Sequence, residues 1–258
     1  MTNPRRNGGS VGLEQYFTPS DVVEQTLQLI PELDFTHYYE CSAGDGAFLQ
    51  ALNKPYEATD LEPQHPTITQ QDAFDWQPQP DRRYVVLGNP PFGRSASIAR
   101  RLFNHITGFE QVLAVVWVVP RTFRRPTVAG ALNSDFGRVA DENVRDDCWV
   151  NNGAPIKCCV QLWQRGAGQR ISAPPKTHKD FTWATRSTAE FAIIARGGRA
   201  GQVLSPEHFG DIRHDGNIHF ISGVEPFAVE PPDSSVGQPV ITQGDVVAAY
   251  SEHGASQR

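Results

Sequence analysis

Apolar and polar residues alternate along this chain in short blocks, and the blocks predict strands and helices taking turns. The run from Asp21 places Val22, Val23, Leu27 and Ile30 on one face of a helix that stops before Pro31, with Ser20 or Thr18 suited to cap it. Tyr38 to Leu49 reads as strand, glycine turn and helix, and Tyr56 to Glu62 as a second short strand. Tyr84 to Leu87 is an apolar run of strand type, Ser97 to Ile106 has helical spacing, and Gln111 to Val119 has the continuous apolar character of a strand buried on both faces of a parallel sheet. Further on, Pro155 to Trp163 predicts a late strand matched by Phe191 to Ala195, after a long basic loop from about Gln164 to Asp180. Ile218 to Ile221 is read as a last edge strand, with His219 on the surface. The Gly-, Asn- and Arg-rich residues 1–13 predict a disordered tail, 14–230 a single domain, and the Pro/Ser/Gln-rich residues 231–258 a flexible C-terminal tail.

The strand at Tyr84 runs into Asn89-Pro90-Pro91-Phe92-Gly93. Neither proline donates a backbone hydrogen bond, so the ladder ends at about Asn89, and each ring fixes φ and stiffens the residue before it. Such an elbow presents the Asn89 side-chain oxygen and the Pro90 carbonyl in set directions. Together they are two acceptors for both hydrogens of a planar amino group, with Phe92 as a flat face to stack on. An amine held this way has its lone pair drawn out of conjugation and can attack an electrophilic methyl group without a strong base. For Pro-Pro alone, an ordinary turn after a core strand is the competing reading.

Two other stretches bear on that choice. Glu40-Cys41-Ser42-Ala43-Gly44-Asp45-Gly46 brings a glycine turn to the end of a strand, where open α/β sheets place their ligands, and Glu40 suits an ammonium or sulfonium better than a phosphate. The spacing is not the three-glycine dinucleotide fingerprint. Asp60 follows about 20 residues on, where a carboxylate meets ribose hydroxyls in nucleoside-binding α/β folds. Asp72 is placed to accept from an adenine amine and Phe74 to pack on its ring, although a turn cap accounts for Asp72 equally well.

With 258 residues, 39% of them hydrophobic, the chain is long enough for a real core. Its longest apolar run, Val112 to Val119, is too short to span a bilayer, and the polar opening lacks a signal-peptide core, so a cytoplasmic protein without a membrane partner is expected. The four cysteines, at 41, 148, 158 and 159, have no zinc-type spacing. Reduced thiols in a core, and no metal, are expected. A net charge of −6 argues against unspecific coating of nucleic acid but not against a local contact. Arg94, Arg100 and Arg101 follow the elbow, and Arg121, Arg124 and Arg125 follow the next strand. Among these Arg94, Arg121, Arg124 and Arg125 are the candidate phosphate contacts, against a solvated face for any one of them.

Taken in order, Phe17-Thr18-Pro19, Glu40-x-x-Ala43-Gly44-x-Gly46, Asp60, Asp72-Ala73-Phe74 and Asn89-Pro90-Pro91-Phe92 resemble the motifs of S-adenosylmethionine-dependent adenine-N6 DNA methyltransferases of the amino-methylating class. The resemblance covers residues 15 to about 125. It implies a class I methyltransferase (Rossmann-like) α/β fold, a mostly parallel seven-stranded sheet with one antiparallel strand and helices on both faces. It also implies S-adenosyl-L-methionine as cofactor and a nucleic-acid partner. The methionine part would meet Glu40, Ala43 and Gly44, the ribose Asp60, and the adenine Asp72 and Phe74. Tyr16, Phe17, Thr18, Pro19, Cys41, Gly46, Leu61, Ala73 and Asn89 complete the cofactor set, and Asn89, Pro90, Pro91 and Phe92 form the catalytic one.

The resemblance favours adenine-N6 methylation of DNA. RNA adenine, or a glutamine side chain in a protein, suits the same chemistry, since glutamine-N5 methyltransferases share Asn-Pro-Pro followed by an aromatic. A binding subunit without turnover is the third reading, though nothing at the five motifs is damaged. The chain departs from the family in offering little material for target recognition, only residues 126–154, 164–180 and the last 58. Such a chain would favour RNA or unpaired DNA, where no base has to be flipped out of a duplex.

Overall fold

The structure, a computed structural model, describes residues 16–151, 154–173, 175–232 and 239–256. The tail expected over residues 1–13 lies outside these described residues. Two compact units emerge, Met1–Phe123 with Ala131–Ile171 and Arg124–Gly130 with Ser172–Arg258, where the sequence suggests one domain over 14–230.

In the first unit the order is α1 (Ser20–Gln28), β1 (His37–Glu40), β2 (Tyr56–Asp60), β3 (Thr69–Gln70), β4 (Tyr84–Gly88), α2 (Ser97–Thr107), β5 (Val112–Pro120) and β6 (Phe136–Asn143). A two-strand ribbon, β7 (Val150–Asn151) with β8 (Ala154–Pro155), and β9 (Cys158–Arg165) follow. Seven strands make one sheet in the order β3-β2-β1-β4-β5-β9-β6. The pairs from β3 to β5 are parallel, and β9 runs antiparallel to both β5 and β6. This is the mostly parallel α/β sheet with one reversed strand that the resemblance implies.

The apolar runs explain themselves by burial. Val85, Val86 and Leu87 of β4 and Val115 and Val116 of β5 have no exposed surface, because both faces of the sheet are covered. Successive strand residues point to opposite faces. Val85, Leu87 and Val116 share a cluster with Val22 and Val23 of α1. On the other face, Trp117 and Trp163 meet the Phe103 ring of α2 edge-on. All four cysteines are buried and unbridged.

Several local expectations are corrected. The helix after the glycine turn shrinks to a 3-10 turn at Leu49–Ala51, with Pro55 too close downstream for a longer one. The first turn of α1 has no side-chain cap, and Thr18 turns its hydroxyl toward Asn89 instead. The late strand is flanked by β5 and β6, not by Phe191 to Ala195.

Phe191 to Ala195 instead contributes to the second unit, which holds α3 (Pro126–Ala129), β10 (Thr182–Trp183), β11 (Phe191–Ile194), β12 (Val203–Leu204), β13 (Ile218–Ser222) and α4 (Gln243–Ser256). Its antiparallel sheet has the order β10-β13-β11-β12, so β13 is an interior strand rather than an edge. Phe191 and Ile193 pack with Val246, Val247 and Tyr250 of α4, while Ala192 and Ile194 pack with Leu204, Phe209 and Phe220. His219 is half-buried, its Nε2 lies 2.9 Å from the Ile241 carbonyl, and burial lowers its pKa. Residues 243–256, expected in a flexible tail, form a helix opened by a reciprocal cap. Thr242 Oγ1 accepts from the Asp245 N–H at 3.2 Å, and Asp245 Oδ2 accepts from the Thr242 N–H at 2.7 Å.

Among the described residues no helix is long and apolar enough to cross a membrane, and no group of three or more His, Cys, Asp or Glu is placed to hold a metal ion.

Candidate active site at the carboxyl edge of the first sheet

β1 and β4 run in register, Glu40 beside Leu87, and their ends deliver the two central groups. Gly88, at φ +129°, turns the chain out of β4, and a Cβ there would come within 3.2 Å of Glu40 Cγ. Only glycine lets the Glu40 side chain lie this close to the elbow. Glu40 is 2% exposed, and its Oε2 has no hydrogen-bond partner among the described residues. Burial, with Asp45 and Asp60 nearby, pushes its carboxyl up to about 8.

The turn after β1 is tied to the end of β2. Asp60 Oδ2 accepts from the Gly44 N–H and Oδ1 from the Glu62 N–H, both at 2.8 Å. This cross-clamp fixes the carboxylate and still leaves each oxygen a lone pair for an incoming hydroxyl. Gly44 needs its φ of +52°, and a Cβ there would stand 3.6 Å from the Phe17 ring. Gly46, at φ +79°, closes the same turn against His65.

A cavity of about 180 Å³ opens beside this clamp. Cys41, Asp60, Leu61, Asp72, Ala73 and Phe74 of the expected cofactor set line it, together with Pro91 of the elbow. Asp72 is both cap and wall, its Oδ1 accepting from the Phe74 N–H at 3.0 Å. The Arg101 guanidinium lies 5.2 Å from the centre of the Phe74 ring. Ser42, Gln71, Ile98 and Leu102 also line the cavity, and the sequence reading does not single them out. Ile98 and Leu102 stand one helical turn apart in α2, so their spacing was the available signal.

At the elbow, Asn89 Nδ2 donates to the Tyr16 carbonyl and to Thr18 Oγ1, each at 3.3 Å, and Ser42 Oγ donates to the Asn89 carbonyl at 3.2 Å. Asn89 Oδ1 is buried with no hydrogen-bond partner among the described residues. Pro90 is buried as well. Phe92 corrects an expectation. It is 8% exposed and sits in the core cluster with Tyr38, Val85 and Leu87, so it offers no open face for stacking. The cause is local, since the Phe92 carbonyl accepts from the N–H groups of Ile98 and Ala99 and is pulled under the start of α2.

The arginine expectation is corrected too. Arg121 is 6% exposed and donates to the carbonyls of Cys158 and Val144 and to Asp146 Oδ1. Arg125, in the second unit, is 7% exposed and donates to the Val240 carbonyl. Both are committed to holding the fold. Arg124, also in the second unit, is half-buried, and the Arg94 side chain lies outside the described residues.

No family model and no curated protein matches the sequence. Among solved structures, a candidate RNA methyltransferase from Pyrococcus horikoshii is similar with a TM-score of 0.47 and 16% identity, over 64% of this chain and 90% of that one. The modification subunit of a candidate type I restriction enzyme from Vibrio vulnificus YJ016 gives a TM-score of 0.47 and 14% identity, over 67% of this chain and 47% of its own. The N-methyltransferase NodS from Bradyrhizobium japonicum WM9, in complex with S-adenosyl-L-homocysteine, gives 0.44 and 12%, over 58% and 89%.

Proposed function

We propose that the first unit transfers a methyl group from S-adenosylmethionine to the exocyclic N6 amine of adenine, with DNA as the substrate. The observation that carries this reading is the state of Asn89: its nitrogen end is tied to Tyr16 and Thr18, and its oxygen end is a buried acceptor without a partner. An orphaned acceptor of this kind costs about 1–3 kcal/mol unless something donates to it. An amine that reaches it removes that cost.

The residues present fit the cofactor. Glu40, whose buried Oε2 has no partner among the described residues, would face the methionine end, Asp60 the ribose hydroxyls, and Asp72 and Phe74 the adenine in the cavity. When bound, the sulfonium supplies the electrophilic methyl carbon. Asn89 Oδ1 and the Pro90 carbonyl accept the two amine hydrogens and aim the nitrogen lone pair. Asn89 is neutral and takes no proton, so the amine gives up its proton to solvent as the new bond forms. Because Pro90 and Phe92 are buried, the target side has to loosen before a base can lie against it.

Phosphate contact falls to groups other than Arg121 and Arg125. The described residues 175–232 and 239–256 of the second unit fold around a core of their own, which gives the chain more material for recognition than its sequence suggests. The test is incubation with methyl-labelled S-adenosylmethionine and, in parallel, duplex DNA, single-stranded DNA, RNA and peptide pools. Label in DNA adenine N6 is the expected result. Label in RNA alone, in glutamine alone, or nowhere replaces this reading with one of the others.

A further inference from the structure

The segment that carries Asn89's two acceptors is held from a distant part of the first unit. Phe17, which lies between Tyr16 and Thr18, offers its carbonyl to the indole N–H of Trp149 at 3.1 Å. A few residues on, Arg145 Nε donates to Asp21 Oδ2 at 2.7 Å, and Gln25 Nε2 donates to the Asn143 carbonyl at 3.1 Å. All three anchors come from the end of β6 or from the connection that leads to β9. Trp149 is 3% exposed, and Tyr16 packs against the core cluster that contains it.

The chemistry of an amide makes this grip consequential. Rotating the Asn89 side chain by half a turn exchanges its oxygen for its nitrogen at nearly the same shape. Only its surroundings select one orientation. The Tyr16 carbonyl can accept and cannot donate, so Nδ2 must face it, and Oδ1 becomes the atom left for a donor. A segment displaced by a few tenths of an ångström would stretch two bonds that are already 3.3 Å long and free the amide to turn.

We propose that Trp149 is a positioning residue for Asn89: its indole N–H fixes the Phe17 carbonyl, this sets the Tyr16 carbonyl and the Thr18 hydroxyl around the amide nitrogen, and that pair holds Oδ1 toward the amine to be methylated. The proposal rests on the reading of Asn89 as the amine's acceptor. It adds that this acceptor's orientation is imposed from the far edge of the sheet through the chain's N-terminal segment.

The test uses the full chain and two variants that keep the packing. Trp149→Phe retains a ring and loses only the N–H, and Thr18→Val retains the shape and loses the acceptor, with Thr18→Ser as its conservative control. Two readouts are taken: the side-chain NH2 resonances of Asn89, assigned by their absence in Asn89→Ala, and single-turnover methyl transfer beside cofactor affinity. Trp149→Phe and Thr18→Val are expected to shift or broaden the Asn89 resonances and to slow transfer by about tenfold, and Trp149→Phe, which lies outside the cofactor set, to leave cofactor affinity unchanged. Thr18→Ser should restore both readouts, and Trp149→Phe should have no further effect on rate in an Asn89→Ala background. Unmoved Asn89 resonances in Trp149→Phe would overturn the positioning role whatever the rate does. Resonances that move while the rate holds would keep the orientation device and remove Asn89 from the chemistry, so the two ideas fail separately.

Discussion

Two neighbouring stretches of one sheet edge are built in opposite ways. At the end of β2 the carboxylate is paired and the space is open: Asp60 accepts an N–H from Gly44 and another from Glu62, and a cavity lies beside it. At the end of β4 the space is filled and a polar group is unpaired: Pro90 and Phe92 are buried, and Asn89 Oδ1 has no partner among the described residues. A ligand on the first side fills room that already exists. On the second side it has to displace packing, and it is rewarded by satisfying an acceptor that nothing else satisfies. The difference suits a site that holds one reactant in a preformed cradle and admits the other only when its hydrogen bonds match.

The sharpest way to break this comparison is Asn89→Ala. Transfer should fall on the order of a thousandfold, while cofactor affinity measured by calorimetry stays within about threefold. A parallel loss of both would erase the distinction between the two sides. Next in size, Asp60→Asn removes a charged acceptor from two backbone N–H groups. We expect a stability loss of about 1.5–3 kcal/mol by thermal or urea unfolding, with weaker cofactor binding and little change in transfer at saturation.

A smaller effect follows from Glu40. Its carboxyl is raised from 4.5 to about 8, so the folded state binds more protons than the unfolded state between those values. Stability therefore falls as pH rises through that window and levels above it. A bound cation favours the ionised form, so affinity for S-adenosylmethionine should rise several-fold from pH 6 to pH 8, at most about tenfold per unit. S-adenosylhomocysteine, without the sulfonium charge, should show a flatter profile, as should Glu40→Gln with either ligand. Equal slopes for the two ligands in calorimetry would contradict this assignment. Smallest of all, Ile98→Ala trims a wall of the cavity that is 37% exposed and should change stability by no more than about 0.5 kcal/mol. Its effect should appear in cofactor affinity and not in the transfer step.

Legibility in the sequence followed the strength of the local signal. Asn89-Pro90-Pro91, the glycine turn and Asp60 could be read because prolines, glycines and a strand-end acid carry backbone consequences of their own. β4 and β5 could be read because they are buried on both faces. β6 escaped because Val139 in its middle is exposed and its second half is Ala-Asp-Glu-Asn, which looks like a loop until β9 pairs with it. α4 escaped because it follows a Pro/Ser/Gln-rich stretch, although Thr242-x-x-Asp245 ahead of Val246 and Val247 was a start signal in plain view. Arg121 and Arg125 misled for a different reason. Charge placed after a strand end indicates where a guanidinium begins, not whether it turns outward or back to backbone carbonyls.

Gly88 sets a limit that reaches past this one position. With hydrogen as its only substituent, it lets the terminal acid of β1 abut the asparagine corner at a φ of +129° that other residues rarely adopt, and an added carbon would also press on that acid's Cγ. Under the proposed function, the spacing between the acid that would meet the cofactor and the asparagine that would meet the amine is set by the backbone at this glycine, so variants sought for new substrates have more latitude in the cavity wall than here.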